Sequence, residues 1–66
     1  MELDSNTIPD FFTPNTLAKF LSISRMTVYR FIDRRVLPFY RFEGSIRFAK
    51  KDVFDYLGKQ RIESAK

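Results

Sequence analysis

A mainly α-helical fold carrying one small β-hairpin is predicted by three features of this 66-residue sequence. Apolar residues recur at i, i+3, i+4 spacing in two short blocks, Leu17-Phe20-Leu21 and Val28-Phe31-Ile32, separated by a break that contains Ser22 and Ser24. Two runs of alternating character, FYRF and SIRF, flank Glu43-Gly44, the pattern of two strands joined by a tight turn. A third helical block follows through Val53, Phe54 and Leu57. A chain this short forms one domain and buries only about 60% of its extended surface. Eight Phe and three Tyr supply a large apolar payload for that size, each buried Phe being worth about 1.5–3 kcal/mol.

Residues 1–12 read as a flexible lead whose apolar end, Ile8, Phe11 and Phe12, tucks against the domain. The domain proper spans residues 13–58, and residues 59–66 read as a frayed tail around the lone Ile62. Thr13 caps a first helix over residues 14–21, with Pro14 at the position where a missing N–H is no loss. Phe12 suits the residue that packs across such a cap. Position 16 is Thr rather than Glu or Gln, so a full capping box is not expected. Ser24 caps a second helix over residues 25–34. Two short helices with about two residues between them must cross steeply, the helix-turn-helix arrangement.

At 100° per residue the second helix turns Val28, Phe31, Ile32 and Arg35 inward. Met26, Arg30 and Asp33 fall on the opposite side, flanked by Thr27, Tyr29 and Arg34. Leu37-Pro38 ends the helix, because the residue before proline is pushed out of the α region. In the hairpin over residues 39–48, alternation predicts Tyr40 and Phe42 on an apolar face with Ile46 and Phe48, lying on the helices. Arg41, Ser45 and Arg47 then project outward as a basic finger. A third helix over residues 49–57 stops at Gly58. Tyr40 and Tyr56 are expected to pack with their hydroxyls at the rim.

Composition narrows function by exclusion. Without cysteine there is neither a disulfide nor a thiolate metal site, and without histidine the usual metal ligand and proton shuttle are missing. Asp52 and Asp55 sit three apart on a helix and read better as a solvated face than as a catalytic pair. No metal, cofactor or enzymatic activity is expected. No apolar run approaches the ~20 residues of a membrane helix, and the polar start is unlike a secretory signal, so a cytoplasmic protein is expected. The +4 net charge is unevenly spread. Glu2, Asp4 and Asp10 stand alone near the start, whereas Arg25, Arg30, Arg34, Arg35, Arg41 and Arg47 face only Asp33 and Glu43. Arginine is the base best suited to phosphate forks and guanine edges, and its clustering on one helix and the stretch after it points to nucleic acid.

As an ordered set, these residues resemble the small winged helix-turn-helix domains of the excisionase and MerR-like group. The resemblance is carried by LAKFL at 17–21, ISRMTVYR at 23–30, Leu37-Pro38, Tyr40-Arg41-Phe42, Gly44, Ile46-Arg47-Phe48, Asp52-Val53 and Tyr56-Leu57. It covers about residues 11–57 and implies double-stranded DNA binding, with the second helix in the major groove and the hairpin, or wing, on the backbone or minor groove. It also implies a recombination directionality role, bending DNA near an attachment site beside an integrase, either alone or in a cooperative, self-associating array on the DNA. Small transcriptional regulators of phages and mobile elements share the group. Ser22 and Arg35 stand where the group usually has glycine, at an expected cost on the order of 1 kcal/mol each. No MerR-type coiled coil follows Leu57, so ligand-sensing regulation is not expected.

The candidate DNA-binding residues are Ser24, Arg25, Thr27, Tyr29 and Arg30 for the major groove, Arg34 for phosphate, and Arg41, Ser45 and Arg47 for the wing. A protein-interaction module, with Met26 and Tyr29 as its contact, is the alternative from another class. A duplex is preferred over a single strand, because the aromatic residues fall in core-like periodicity rather than on an open sheet.

Overall fold

The structure, a computed structural model, describes residues 8–62. The expectations for residues 1–7 and 63–66 lie outside the described residues. The order of elements is β1 (Phe11–Phe12), α1 (Pro14–Leu21), α2 (Arg25–Arg34), β2 (Tyr40–Phe42), β3 (Ser45–Ala49) and α3 (Lys50–Gln60). The architecture is three helices with a small antiparallel sheet in the order β1-β3-β2, a winged helix-turn-helix.

Both helices of the motif keep the boundaries that their periodicity predicts, and their ends show why. Thr13 accepts a hydrogen bond from the Thr16 amide at 3.0 Å, while the Thr16 hydroxyl accepts from the Thr13 amide at 2.8 Å. The reciprocal capping box is therefore present after all. A threonine hydroxyl does here what the longer Glu or Gln side chain usually does. At the other end, Ser22 closes α1 in the left-handed region with φ 58°, and Arg35 closes α2 with φ 56°. The loops have not rearranged to spare these residues. Each non-glycine accepts a conformation that costs roughly 1–2 kcal/mol.

Two segments depart from expectation. Phe11–Phe12, placed in a lead segment by the sequence, pair with Ala49 and Phe48 and form β1. The backbone of Lys50 donates to the Asp10 carbonyl at 2.8 Å, and its ammonium reaches the Asp10 carboxylate at 3.7 Å, which fixes this edge of the sheet. Helix α3 begins at Lys50 and continues through Gly58 to Gln60, so Gly58 is not the stop. Gly58 has open space around it, and a helix interior tolerates glycine at about 1 kcal/mol when nothing forces a left-handed turn.

The core is Phe12, Leu17, Ala18, Val28, Leu37, Phe48 and Val53, one cluster drawn from five of the six elements' neighbourhoods. Ile8, Phe20, Phe31, Ile32, Phe39 and Tyr56 pack around it. Phe12 lies 4.9 Å from Phe20 across the α1 cap, and Tyr56 meets Phe31 at 5.5 Å between ring centroids. Among the described residues no buried side-chain polar atom lacks a partner, and no helix is long and apolar enough to cross a membrane.

Candidate nucleic-acid interface

Helix α2 presents its polar side to solvent because Val28 is fully buried and Phe31 and Ile32 half-buried behind it. Arg25, Met26, Tyr29, Arg30, Asp33 and Arg34 are all exposed. Arg35, expected inward by periodicity, is also exposed, since the left-handed turn at its own position takes it off the helical track. Asp33 makes no ion pair with a neighbouring arginine among the described residues.

The N-terminal end of α2 is built by local hydrogen bonds. The Ser24 hydroxyl accepts from the Thr27 amide at 3.1 Å and lies 2.9 Å from the Thr27 hydroxyl. Both candidate residues are thus tied to each other as a cap, and Thr27 is half-buried. The Arg25 guanidinium donates to Asn15 Oδ1 at 3.2 Å, a contact from α1 to α2 across ten residues. Sequence reasoning missed Asn15, and no local spacing rule would have found it. The contact exists only because α1 folds back over the start of α2. One guanidinium N–H is held, and the side chain is exposed at the helix start, a place that favours an anion.

The wing differs from the expected finger. The two-residue turn at Glu43-Gly44 has φ 50° and 84°, and it sets Phe42 opposite Ser45, Arg41 opposite Ile46 and Tyr40 opposite Arg47. Residues directly opposite share a face. Tyr40 and Phe42 therefore lie with Ser45 and Arg47, and not with Ile46 and Phe48. The apolar face lying on the helices is made by Phe48 and Ile46 with Phe12 from β1. Arg41 and Arg47 are on opposite faces, so no single basic finger is formed. Arg41 and Ser45 are exposed, whereas Arg47 is half-buried and donates to the Ile46 carbonyl at 2.9 Å.

Tyr40, expected at the rim of the core, is 49% exposed, and Phe42 is 51% exposed. Phe11, which was to tuck inward, joins them at 46% exposure from the opposite edge of the sheet. These aromatic residues do sit on an open sheet face, contrary to the periodicity argument. Tyr56 alone keeps the packed, half-buried place expected of it.

Residues 11–61 match the family model described as a helix-turn-helix domain, which takes in every element of the fold. No curated protein and no solved structure gives a significant match.

Proposed function

The chain belongs to the helix-turn-helix domain family, and from that premise we propose that it is a non-enzymatic, sequence-specific protein of double-stranded DNA that reads the major groove with α2. Family membership supports DNA binding at this coarse level. The single observation that carries the finer reading is the exposed arginine face of α2, fixed in place by a buried Val28 and a hydrogen-bonded N-terminal cap. Arg30, Arg34 and Tyr29 are exposed on that face. Arg30 is the residue for a base edge, Arg34 for phosphate, and Arg25 works from its Asn15 anchor at the helix start. Ser24 and Thr27 contribute chiefly by shaping that start.

The more specific role is that of an excisionase-like accessory factor, which binds beside an attachment site in the nucleoid, bends the DNA and assists an integrase, with neighbouring copies binding cooperatively. A transcriptional regulator of a mobile element would use the same chemistry at a promoter. Gel-shift titration of fragments covering an attachment site and the adjacent promoter, at two salt concentrations, distinguishes them. Replacing Arg30 with alanine should lower affinity for the preferred fragment about 5- to 150-fold while leaving non-specific duplex binding nearly unchanged. Arg34→Ala should weaken all duplexes alike and flatten the salt slope by about one. Unchanged affinity of Arg30→Ala for every duplex would sink the assignment.

A further inference from the structure

Phe11, Tyr40 and Phe42 form a continuous aromatic surface on the side of the sheet that faces away from α1 and α3. Phe11 stands edge-on to both partners, with centroids 6.0 Å from Tyr40 and 6.1 Å from Phe42 at interplanar angles of 80° and 89°. Tyr40 and Phe42 are near-parallel, 6.0 Å apart at 22°. The three rings bury one another on one side, and about half of each stays open. Nothing in the fold needs this: the buried cluster is complete without them. Leaving large rings open on a small domain invites association, which marks such patches as interaction sites.

Two properties of the patch select its ligand. It is aromatic rather than aliphatic, Ala49 being the one aliphatic side chain in register with it. In register, its own face carries one cation, Arg47, and no acid. Arg47 shares the face opposite Tyr40, with a single hydrogen bond from its guanidinium among the described residues. Lys50 follows Ala49 at the edge of the patch and engages the nearby Asp10, Glu43 lies at the turn, and Arg41 falls on the opposite face. Open rings beside cations on an antiparallel sheet are suited to stacked bases with their phosphates. A paired duplex hides its base faces, so the ligand must present unpaired ones.

We propose that the outer face of the wing is a second nucleic-acid surface, which stacks unpaired bases of single-stranded DNA on Phe11, Tyr40 and Phe42 and holds their backbone with Arg47. This surface is independent of the duplex-reading face of α2, and neither assignment needs the other to be right.

The test is fluorescence anisotropy of the full chain with an end-labelled oligothymidylate of about 12 nucleotides, within the ~4–16 that such sheets cover. Wild type should bind, with affinity falling as salt rises. Tyr40→Ala and Phe42→Ala should each weaken binding by about 5- to 100-fold, and Tyr40→Phe should restore it. Arg47→Gln should flatten the salt slope by about 0.7. Arg30→Ala should leave oligothymidylate binding unchanged while it lowers duplex binding, which separates failure of this site from failure of the α2 site. Because the substituted rings are half-exposed, the variants are expected to fold, and retained helical circular dichroism checks it. Tyr40→Leu supplies the decisive control, since it keeps apolar area but not a π-face. Binding by Tyr40→Leu equal to wild type overturns the proposal and assigns the patch to an apolar protein partner, and so does absence of wild-type binding to the oligonucleotide.

Discussion

The outward side of α2 and the outward side of the wing are built from the same two residue kinds, arginine and aromatics, yet they differ in how their side chains are held. On α2, among the described residues, Arg30 and Arg34 are exposed without an ion pair, Arg25 is held by Asn15 alone, and Tyr29 stands apart from other rings. On the wing the rings contact one another and Arg47 is half-buried, tied to the Ile46 carbonyl. A helix spreads neighbours around 360°, so its polar side keeps long cations separate and solvated. A sheet lines up alternate residues on one plane about 7 Å apart, so rings there touch. Free cations suit phosphates and base edges. Clustered rings suit flat partners.

The largest expected effect is one that breaks both surfaces together. Phe48 is fully buried, pairs with Phe12 on β1 and meets Phe39 at 6.3 Å. Replacing it with alanine should cost about 3–5 kcal/mol. A domain of this size holds only about 3–10 kcal/mol in total, so denaturant titration should find the variant unfolded or nearly so. A loss below about 1 kcal/mol would mean that the sheet does not depend on this ring, and that the two outward faces are not fixed to a common core.

The same comparison explains what the sequence discloses. Helices α1 and α2 are legible to the residue, because a 3.6-residue period over two or three turns is over-determined by Leu17, Phe20, Leu21, Val28, Phe31 and Ile32. The wing is legible as a hairpin but not in its facing. Alternation alone assigned Tyr40 and Phe42 to the core because they are apolar. The two-residue turn decides otherwise, since it sets Phe42 against Ser45, and that parity carries Tyr40 to the outer side with Arg47. Turn geometry outranked hydrophobicity, and Glu43-Gly44 already contained that information. Strand β1 was not legible. Two residues give no period, and the outer side of the sheet becomes an aromatic cluster only when Phe11 arrives from the far end of the chain. The Asn15 anchor of Arg25 was hidden for a similar reason, being a contact made by the crossing of two helices.

A middle-sized effect isolates the helical side. Ser24→Ala removes the acceptor for the Thr27 amide and should cost about 0.5–2 kcal/mol in thermal or chemical unfolding. It should also lower duplex affinity, because the start of α2 loses the geometry that presents Arg25. Oligothymidylate binding on the wing should not change. If both activities fall by the same factor in folded protein, the two faces are one site and the contrast between them fails.

The smallest effects sharpen the contrast without removing a contact. Ser22 sits at φ 58° between the two helices, and Glu43 at φ 50° in the wing turn, each a non-glycine in the left-handed region. Ser22→Gly relieves about 1–2 kcal/mol of backbone strain but gives back about 0.4–1 kcal/mol through a freer unfolded chain. The net gain should lie between about zero and about 1.6 kcal/mol. At the wing, Glu43→Asn substitutes the residue that a turn with two positive φ values prefers before glycine, for a gain of a few tenths of a kcal/mol. Amide exchange should locate each gain, with the first slowing the amides at the junction of α1 and α2, and the second those of Phe42 and Ser45. The removal of a negative charge from the turn next to Phe42 should in addition tighten oligothymidylate binding on the wing. Protection that rises equally throughout the chain in both variants would show one cooperative unit whose two outward surfaces cannot be tuned apart.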